Sequence, residues 1–138
     1  MKHKIAWLVA AVFAWWTLNG LAVGTQWMLM RDAANRLADT MAGLQWQLPS
    51  LPVVQNVDAT VHDSLDAIRE ALVRQLYLPV RWTDCVQALA ARGVVRLGEC
   101  GPGKVLAGLV KRIDKSLDAR ALGTPGEFET AIEEWKNA

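Results

Sequence analysis

The fold is decided by two stretches, LYLPVRWT at residues 76–83 and LGECGPGKVL at residues 97–106. A proline disfavours helical geometry in the residue before it, so Pro79 predicts the end of one helix. A second helix is then expected over about residues 81–92. In the second stretch, a short apolar strand is followed by a glycine turn at residues 101–103 and a basic helix. Elements in this order are typical of a layered α/β unit.

Compact β-branched runs predict the strands. They lie at residues 53–57 and 94–97, and a third short strand is expected near residues 119–122. Strands that alternate with helices indicate a parallel sheet covered by helices. A parallel sheet of two or three strands leaves an edge and a face exposed, so we expect this unit to be part of a larger sheet.

Capping residues and apolar spacing predict the remaining helices. The first runs from a cap at Asp32 to about residue 44, and the next from a cap at Asp63 or Ser64 to a point before Pro79. A helix follows the glycine turn with its inward apolar face reaching residue 117, and a terminal helix covers about residues 125–136. Gly93 suits a left-handed helix terminus. Residues 58–63 are polar and predict a loop.

The segment before Arg31 differs in composition from the rest of the chain. It carries no charge over residues 5–30, and about 20 apolar residues suffice to span a bilayer. We expect residues 1–28 to form an apolar leader, helical from residue 5 to about residue 22, and residues 29–138 to form the domain. Four tryptophans and a mildly apolar second half leave two interpretations open, a membrane anchor and a non-native leader from a truncated or frame-shifted gene.

Charge and cysteine content argue against several classes of function. The 138 residues carry 15 basic and 14 acidic side chains, a net charge of +1, so no overall field points to nucleic acid as a partner. Cys85 and Cys100 lack the spacing of a disulfide framework or a redox motif, which predicts reduced thiols. The sequence contains no cluster with metal-ligand spacing.

Candidates for nucleophilic catalysis are few. Histidine occurs only at His3 and His62, and serine only at Ser50, Ser64 and Ser116. None of the serines lies in the GxSxG turn that exposes a nucleophile between a strand and a helix. We therefore interpret His62, next to Asp63 in a polar segment, as a surface residue.

Two features near the second stretch allow a functional and a structural interpretation. The glycine turn before Lys104 could cradle a phosphate at a helix N-terminus. Because Val105 replaces the Ser or Thr of a P-loop, a tight turn is the favoured explanation. Lys104, Lys111 and Lys115 fall on one side of their predicted helix, with Arg112 adjacent. They form either a solvated outer face, which is favoured, or a docking stripe for an acidic partner.

Five segments of the chain resemble the malonyl-CoA:acyl carrier protein transacylases of bacterial fatty acid synthesis. They are LMRDAA at 29–34, PVVQNVD at 52–58, AIREALVRQLY at 67–77, PVRW at 79–82 and GPGKVL at 101–106, in the family's order and at similar spacing. The resemblance covers about residues 29–138. It implies the C-terminal portion of a hydrolase-like α/β acyltransferase domain, whose family carries an inserted ferredoxin-like subdomain.

Members of this family transfer a malonyl group through a serine ester. The resemblance therefore implies malonyl-CoA as substrate, acyl carrier protein as partner and no covalently bound cofactor. The family's serine turn, malonyl-binding arginine and oxyanion loop lie upstream of the matched region and are not found in this chain. Gln26 occupies the position of the family's catalytic histidine, and an amide cannot take a proton near neutral pH. Arg81 matches the position whose backbone carbonyl orients that histidine.

The resemblance thus implies a cytoplasmic α/β fragment of a transacylase, with helices on a small parallel sheet, that is catalytically incomplete alone. A second chain could supply the missing N-terminal half. Acyl carrier protein would bind through Lys104, Lys111, Arg112 and Lys115. The alternative is a non-catalytic protein that binds acyl carrier protein and is anchored in the inner membrane through residues 5–28.

Overall fold

The computed structural model describes residues 4–8 and 23–137. The helices are α1 (Val23–Ala42), α2 (Leu65–Arg74), α3 (Trp82–Ala91), α4 (Val105–Ile113) and α5 (Pro125–Asn137). The strands are β1 (Lys4–Leu8), β2 (Val54–Gln55), β3 (Thr60–Val61), β4 (Val94–Glu99) and β5 (Asp118–Ala121). The described residues form two units, one of residues 23–88 and one of residues 4–8 and 89–137. The predicted α/β class is confirmed.

The second unit is built on a parallel sheet with strand order β1-β4-β5. Residues 96–99 of β4 pair in parallel with residues 118–121 of β5, and both strands lie close to the positions predicted at 94–97 and 119–122. Helix α4 connects these two strands and packs on both. Its buried residues, Ala107 and Val110, lie three positions apart and therefore on the same face. Gly93 has φ of 80°, which confirms the left-handed terminus predicted before β4.

The core of this unit is centred on Trp135 of α5. Its side chain is 5% exposed and packs with Leu122 and Ala131. The indole N–H donates to Asp118 Oδ2 at 2.7 Å, and the buried guanidinium of Arg96 donates to the carbonyl oxygen of Trp135. Trp135 therefore connects the terminal helix to β5 through its indole and to β4 through its backbone carbonyl oxygen.

Asp118 takes part in this core as an ionised carboxylate that accepts hydrogen bonds. Burial alone would raise its pKa, but hydrogen bonds from Arg120 and Trp135 hold the pKa below its ordinary value. Arg120 also pairs with Glu134 of α5, and its guanidinium lies 5.6 Å from the centroid of the Trp135 ring. The outer end of the core is thus closed by charged groups that are mutually paired.

Gly98 of β4 is required by close packing rather than by its backbone conformation. A Cβ atom at this position would lie 2.5 Å from Leu122 Cδ1, inside the core. We expect Gly98→Ala to lower the free energy of unfolding by about 1–3 kcal/mol, the usual cost of overpacking. Gly108→Ala in α4 is the control, because nothing lies within 4 Å of its added Cβ. The control should gain about 0.5–1 kcal/mol from helix propensity. Equal urea stability of both variants would contradict this assignment.

In the first unit, α1 packs against α2. Helix α1 begins at Val23, so the prediction of a cap at Asp32 is wrong. No proline interrupts residues 23–42, and the helix therefore extends past the capping residue in the N-terminal direction. The cap predicted for α2 is confirmed at Ser64, whose Oγ accepts the backbone N–H of Ala67 at 3.3 Å. Helix α2 ends at Arg74, before Pro79 as predicted.

The prediction that residues 53–57 form a strand of the parallel sheet is wrong. Strand β2 pairs antiparallel with β3, which also replaces part of the loop predicted at residues 58–63. Ala59 adopts a positive φ of 57° and donates its N–H to the carbonyl oxygen of Gln55 at 2.8 Å. This tight turn returns the chain after a few residues, whereas a parallel crossover requires a dozen or more.

The N-terminal segment provides the third strand of the sheet. Residues 4–8 pair with β4 in a parallel arrangement, so the predicted helix is wrong for residues 5–8. Pairing satisfies backbone groups that β4 would otherwise expose at its edge. The rest of the predicted leader helix, residues 9–22, lies outside the described residues. Within the described ranges, none of the helices is long and apolar enough to cross a membrane.

Candidate functional site

Arg81 is fixed by its backbone at the start of α3. Its N–H donates to the carbonyl oxygen of Asn56 at 2.8 Å, and its own carbonyl oxygen accepts the N–H of Cys85 at 3.0 Å. The exposed guanidinium donates through Nε to Asp84 Oδ2 at 2.7 Å. A carbonyl oxygen has two lone pairs, so that of Arg81 keeps the capacity to accept a second hydrogen bond.

Two buried polar atoms beside Arg81 lack hydrogen-bond partners among the residues that the structure describes. They are Asn56 Oδ1 and Trp82 Nε1. An unsatisfied buried polar group costs about 1–3 kcal/mol, so such atoms are uncommon in a completed fold. Gln26 lies in the first turn of α1 in the same unit, and its side chain is outside the described part of the chain.

His62 contributes to a small charged cluster at the β2–β3 hairpin. Its Nε2 atom lies 3.1 Å from Asp58 Oδ2, and Arg74 Nη1 lies 3.8 Å from the same oxygen. Asp58 also accepts the N–H of Thr60 through Oδ1 at 3.2 Å. The contacts of this histidine therefore stabilise the turn, in keeping with the structural interpretation of the sequence.

The hydroxyls of Ser64 and Ser116 and the two thiols take part in local structure, whereas Ser50 lies exposed between α1 and β2. Ser64 caps α2, and Ser116 Oγ donates to Asp114 Oδ1 at 2.6 Å. Burial, followed by the carboxylates of Asp84 and Asp58, raises the pKa of the Cys85 thiol. A raised pKa favours the unreactive thiol over the thiolate. Cys100 is free and packs against the core formed around Trp135.

The glycine turn before α4 is closed by side chains of this chain. Glu99 Oε2 accepts the N–H of Ala107 at 2.8 Å, so a carboxylate already occupies part of the helix N-terminus. Gly101 and Gly103 have φ of 148° and 129°, values that favour glycine. The contacts support the tight-turn explanation over a phosphate cradle.

Lys104 is paired across the same turn. Its Nζ lies 3.3 Å from Glu127 Oε1, and this interaction is the first cause that lowers the pKa of Glu127. The Glu127 carboxylate also accepts the backbone N–H groups of Gly123 and Thr124, each at 3.1 Å. Lys104 therefore joins the loop after β4 to the start of α5.

The other basic candidates lie at the far end of α4. Lys111 and Arg112 are exposed in its last turn, where positive charge stabilises the helix dipole. Helix α4 ends at Ile113, so the prediction that Lys115 belongs to the same helical side is wrong. Asp114 is extended, and its carboxylate accepts the N–H of Ser116 at 2.9 Å, a local bond that competes with further helix.

Sequence comparison relates most of the chain to known enzymes. The malonyl CoA-acyl carrier protein transacylase of Escherichia coli is 49% identical over 113 residues, which are 82% of this chain and 37% of the relative. The resemblance seen in the five sequence segments is confirmed. About residues 29–138 belong to the malonyl-CoA:acyl carrier protein transacylase family. The transacylase of Bacillus subtilis is 39% identical over 108 residues, 78% of this chain and 34% of the relative.

Solved transacylase structures share the fold. A malonyl-CoA:acyl carrier protein transacylase from Xanthomonas oryzae pv. oryzae gives a TM-score of 0.73 at 66% identity, over 78% of this chain and 34% of that one. A malonyl-transacylase in complex with a type II PKS acyl-carrier protein gives a TM-score of 0.72 at 48% identity, over 77% of this chain and 34% of that one. No family model matches the chain. The chain thus spans about a third of the length of the transacylases it matches.

Sequence reasoning missed the residues that support this end of the transacylase fold. Glu99 and Glu127 each bind the backbone of a neighbouring helix start or loop. A signal for Glu127 was present, because Thr124 and Glu127 have the Thr-x-x-Glu spacing of a capping box. No comparable pattern marks Glu99, whose partner Ala107 is reached only after the glycine turn.

Proposed function

We propose that this chain is the C-terminal part of a transacylase that transfers a malonyl group from coenzyme A to acyl carrier protein. The reaction takes place in the cytoplasm, and this chain alone is catalytically incomplete. The 49% identity over 113 residues to a named transacylase carries the proposal. Residues 29–138 are the transacylase portion, and the residues before them contribute β1 to its sheet and the start of α1. The transacylase relatives offer nothing in favour of the anchored alternative.

The catalytic part of the proposal concerns Gln26 and Arg81. Arg81 keeps the fixed carbonyl that the resemblance implies for orienting a histidine, but Gln26 offers no base. Asn56 Oδ1 and Trp82 Nε1 remain unsatisfied in the region next to Arg81. These features fit a site whose remaining groups come from another part of a transacylase.

The partner-binding part of the proposal concerns the basic end of α4. Lys111, Arg112 and Lys115 are exposed, whereas Lys104 is engaged with Glu127. A malonyl-transacylase similar to this chain is known in complex with an acyl-carrier protein. We assign the main contact with acyl carrier protein to Lys111 and Arg112, supported by Lys115 and, less directly, by Lys104.

Reversal of charge at the end of α4 tests this assignment. Lys111→Glu and Arg112→Glu should each slow association with acyl carrier protein by about tenfold at low salt, because charges at an interface rim act mainly on the association rate. The effect should shrink at high salt, where such charges are screened. Lys136→Glu in the last turn of α5 is the matched control. Stopped-flow or surface plasmon resonance measures the rates. An equal loss in the control, or no loss in either variant, would contradict the assignment.

A further inference from the structure

Glu127 lies in the first turn of α5, where several donors fix its carboxylate. Its Oε2 atom accepts the N–H groups of Gly123 and Thr124, each at 3.1 Å, and the hydroxyl of Thr124 at 3.2 Å. The second oxygen, Oε1, lies 3.3 Å from Nζ of Lys104. The loop before α5 therefore holds one oxygen of Glu127, and the other oxygen is presented to Lys104.

The loops that follow β4 and β5 are packed closely where this ion pair forms. A Cβ atom at Gly123 would lie 2.9 Å from the carbonyl oxygen of Gly101. Since the loop at Gly101 leads directly to Lys104, this backbone contact keeps Lys104 within reach of Glu127.

Lys104 can leave the ion pair at low cost. Its side chain is 77% exposed and that of Glu127 is 35% exposed, and exposed ion pairs contribute little to stability. A lysine ammonium on its flexible four-carbon stem can also reach other acceptors. While the pair is formed, the negative charge of Glu127 offsets the positive charge of Lys104. The lysine then adds little to the attraction for an acidic partner.

A released Lys104 would lengthen the basic surface of α4. Lys104 directly precedes α4, and Lys111 and Arg112 lie in the last turn of that helix. Seven residues separate Lys104 from Lys111, which corresponds to about 10 Å along the helix axis. Gly108 lies between them and carries no side chain that would keep a partner away.

We infer that Glu127 competes internally for Lys104 and thereby withholds this lysine from acyl carrier protein. The inference rests on the proposed binding of acyl carrier protein at α4. To bind Lys104, acyl carrier protein has to displace a preorganised carboxylate, which offsets part of the attraction. Lys104 therefore becomes available only to a partner whose acidic groups reach the N-terminal end of α4, whereas Lys111 and Arg112 are exposed to any acidic partner.

Glu127→Gln in the full 138-residue chain removes the competing charge. Glutamine is accepted at this position of a capping box, so its amide oxygen retains the bonds to Gly123 and Thr124. We expect association with acyl carrier protein to become about two- to fivefold faster at low salt, the range that corresponds to an exposed ion pair. The gain should vanish at high salt, where exposed charges are screened. Stopped-flow fluorescence or surface plasmon resonance measures the rates, and circular dichroism verifies that each variant is folded.

Two controls separate the ion pair from a general effect of charge. Glu129→Gln removes the same charge from an exposed position of the same helix. Lys104→Met is then combined with each glutamine variant. The gain of Glu127→Gln over Glu129→Gln should be present with Lys104 and absent without it. Equal rates for the two glutamine variants, or a gain that persists in the Lys104→Met background, would overturn the inference.

The same measurements distinguish failure of the inference from failure of the proposed function. If the unsubstituted chain does not bind acyl carrier protein, the proposed assignment fails and the inference fails with it. If Lys111→Glu slows association but Glu127→Gln behaves as Glu129→Gln does, the assignment of α4 stands and the role of Glu127 alone is rejected.

Discussion

Incubation with malonyl-CoA is expected to leave this chain unmodified. An ester would form by attack of a serine Oγ on the thioester carbonyl, with cleavage of the C–S bond and departure of coenzyme A as the thiol. This step needs an exposed nucleophile, a base within hydrogen-bond reach and donors for the oxyanion. The chain has no GxSxG serine, and Gln26 stands at the position implied for the base. General base catalysis alone contributes about 10²–10⁴-fold, so its loss together with the nucleophile should abolish the reaction.

Intact-protein mass spectrometry after incubation provides the measurement, with the E. coli transacylase as the positive control. Gln26→His should remain equally unreactive, because the added imidazole has no serine turn to activate. The contrary result would be a stable malonyl adduct at Ser50, Ser64 or Ser116 that transfers to acyl carrier protein. Binding of acyl carrier protein through α4 could persist in the absence of any adduct, since it requires none of these groups.

Trp135→Ala is expected to cost about 3–5 kcal/mol of unfolding free energy, the usual range for truncation of a buried aromatic side chain. The substitution removes the packing on Leu122 and leaves Asp118 without its indole donor. Urea titration followed by circular dichroism measures the loss. Domains are usually stable by only about 5–15 kcal/mol. A loss of this size is therefore a large part of the total, and the variant is expected to be partly unfolded at room temperature.

Two milder variants keep this prediction quantitative. Trp135→Phe retains an aromatic ring but not the N–H that donates to Asp118, and should cost less than the alanine variant. Phe128→Ala lies in the same helix at a position that is 43% exposed, and should cost less than about 1.5 kcal/mol. If Phe128→Ala were as destabilising as Trp135→Ala, Trp135 would not be the centre of this core.

Local signals predicted much of the fold. The stop before Pro79, the Ser64 cap, the left-handed Gly93 and the strands near residues 94–97 and 119–122 depend on neighbouring residues, which the sequence displays directly. The β2–β3 hairpin was missed because a β-branched run shows that a strand exists but not which partner it pairs with. The early end of α4 was missed because the bond from Ser116 to Asp114 outweighs the apolar spacing that continues to Leu117.

The features of the candidate site also include some that could be predicted from local sequence and some that could not. The exposure of Lys111 and Arg112 follows from their helical positions and could be predicted. The engagement of Lys104 with Glu127 could not, because the two residues meet only when the loops after β4 and β5 lie side by side. Nor could the unsatisfied atoms of Asn56 and Trp82, which depend on the depth of packing around each group.

The pairing of β1 with β4 has a consequence for synthesis of the chain. Lys4 pairs with Val94, so β1 and β4 are separated by about 90 residues of sequence. At a translation rate of about 5–20 residues per second, β1 leaves the ribosome several seconds before its neighbour exists. Closing so long a loop also raises the contact order, which slows folding. Strand β1 is thus made long before the strand it pairs with, and during that interval its backbone is available to chaperones and to other nascent chains.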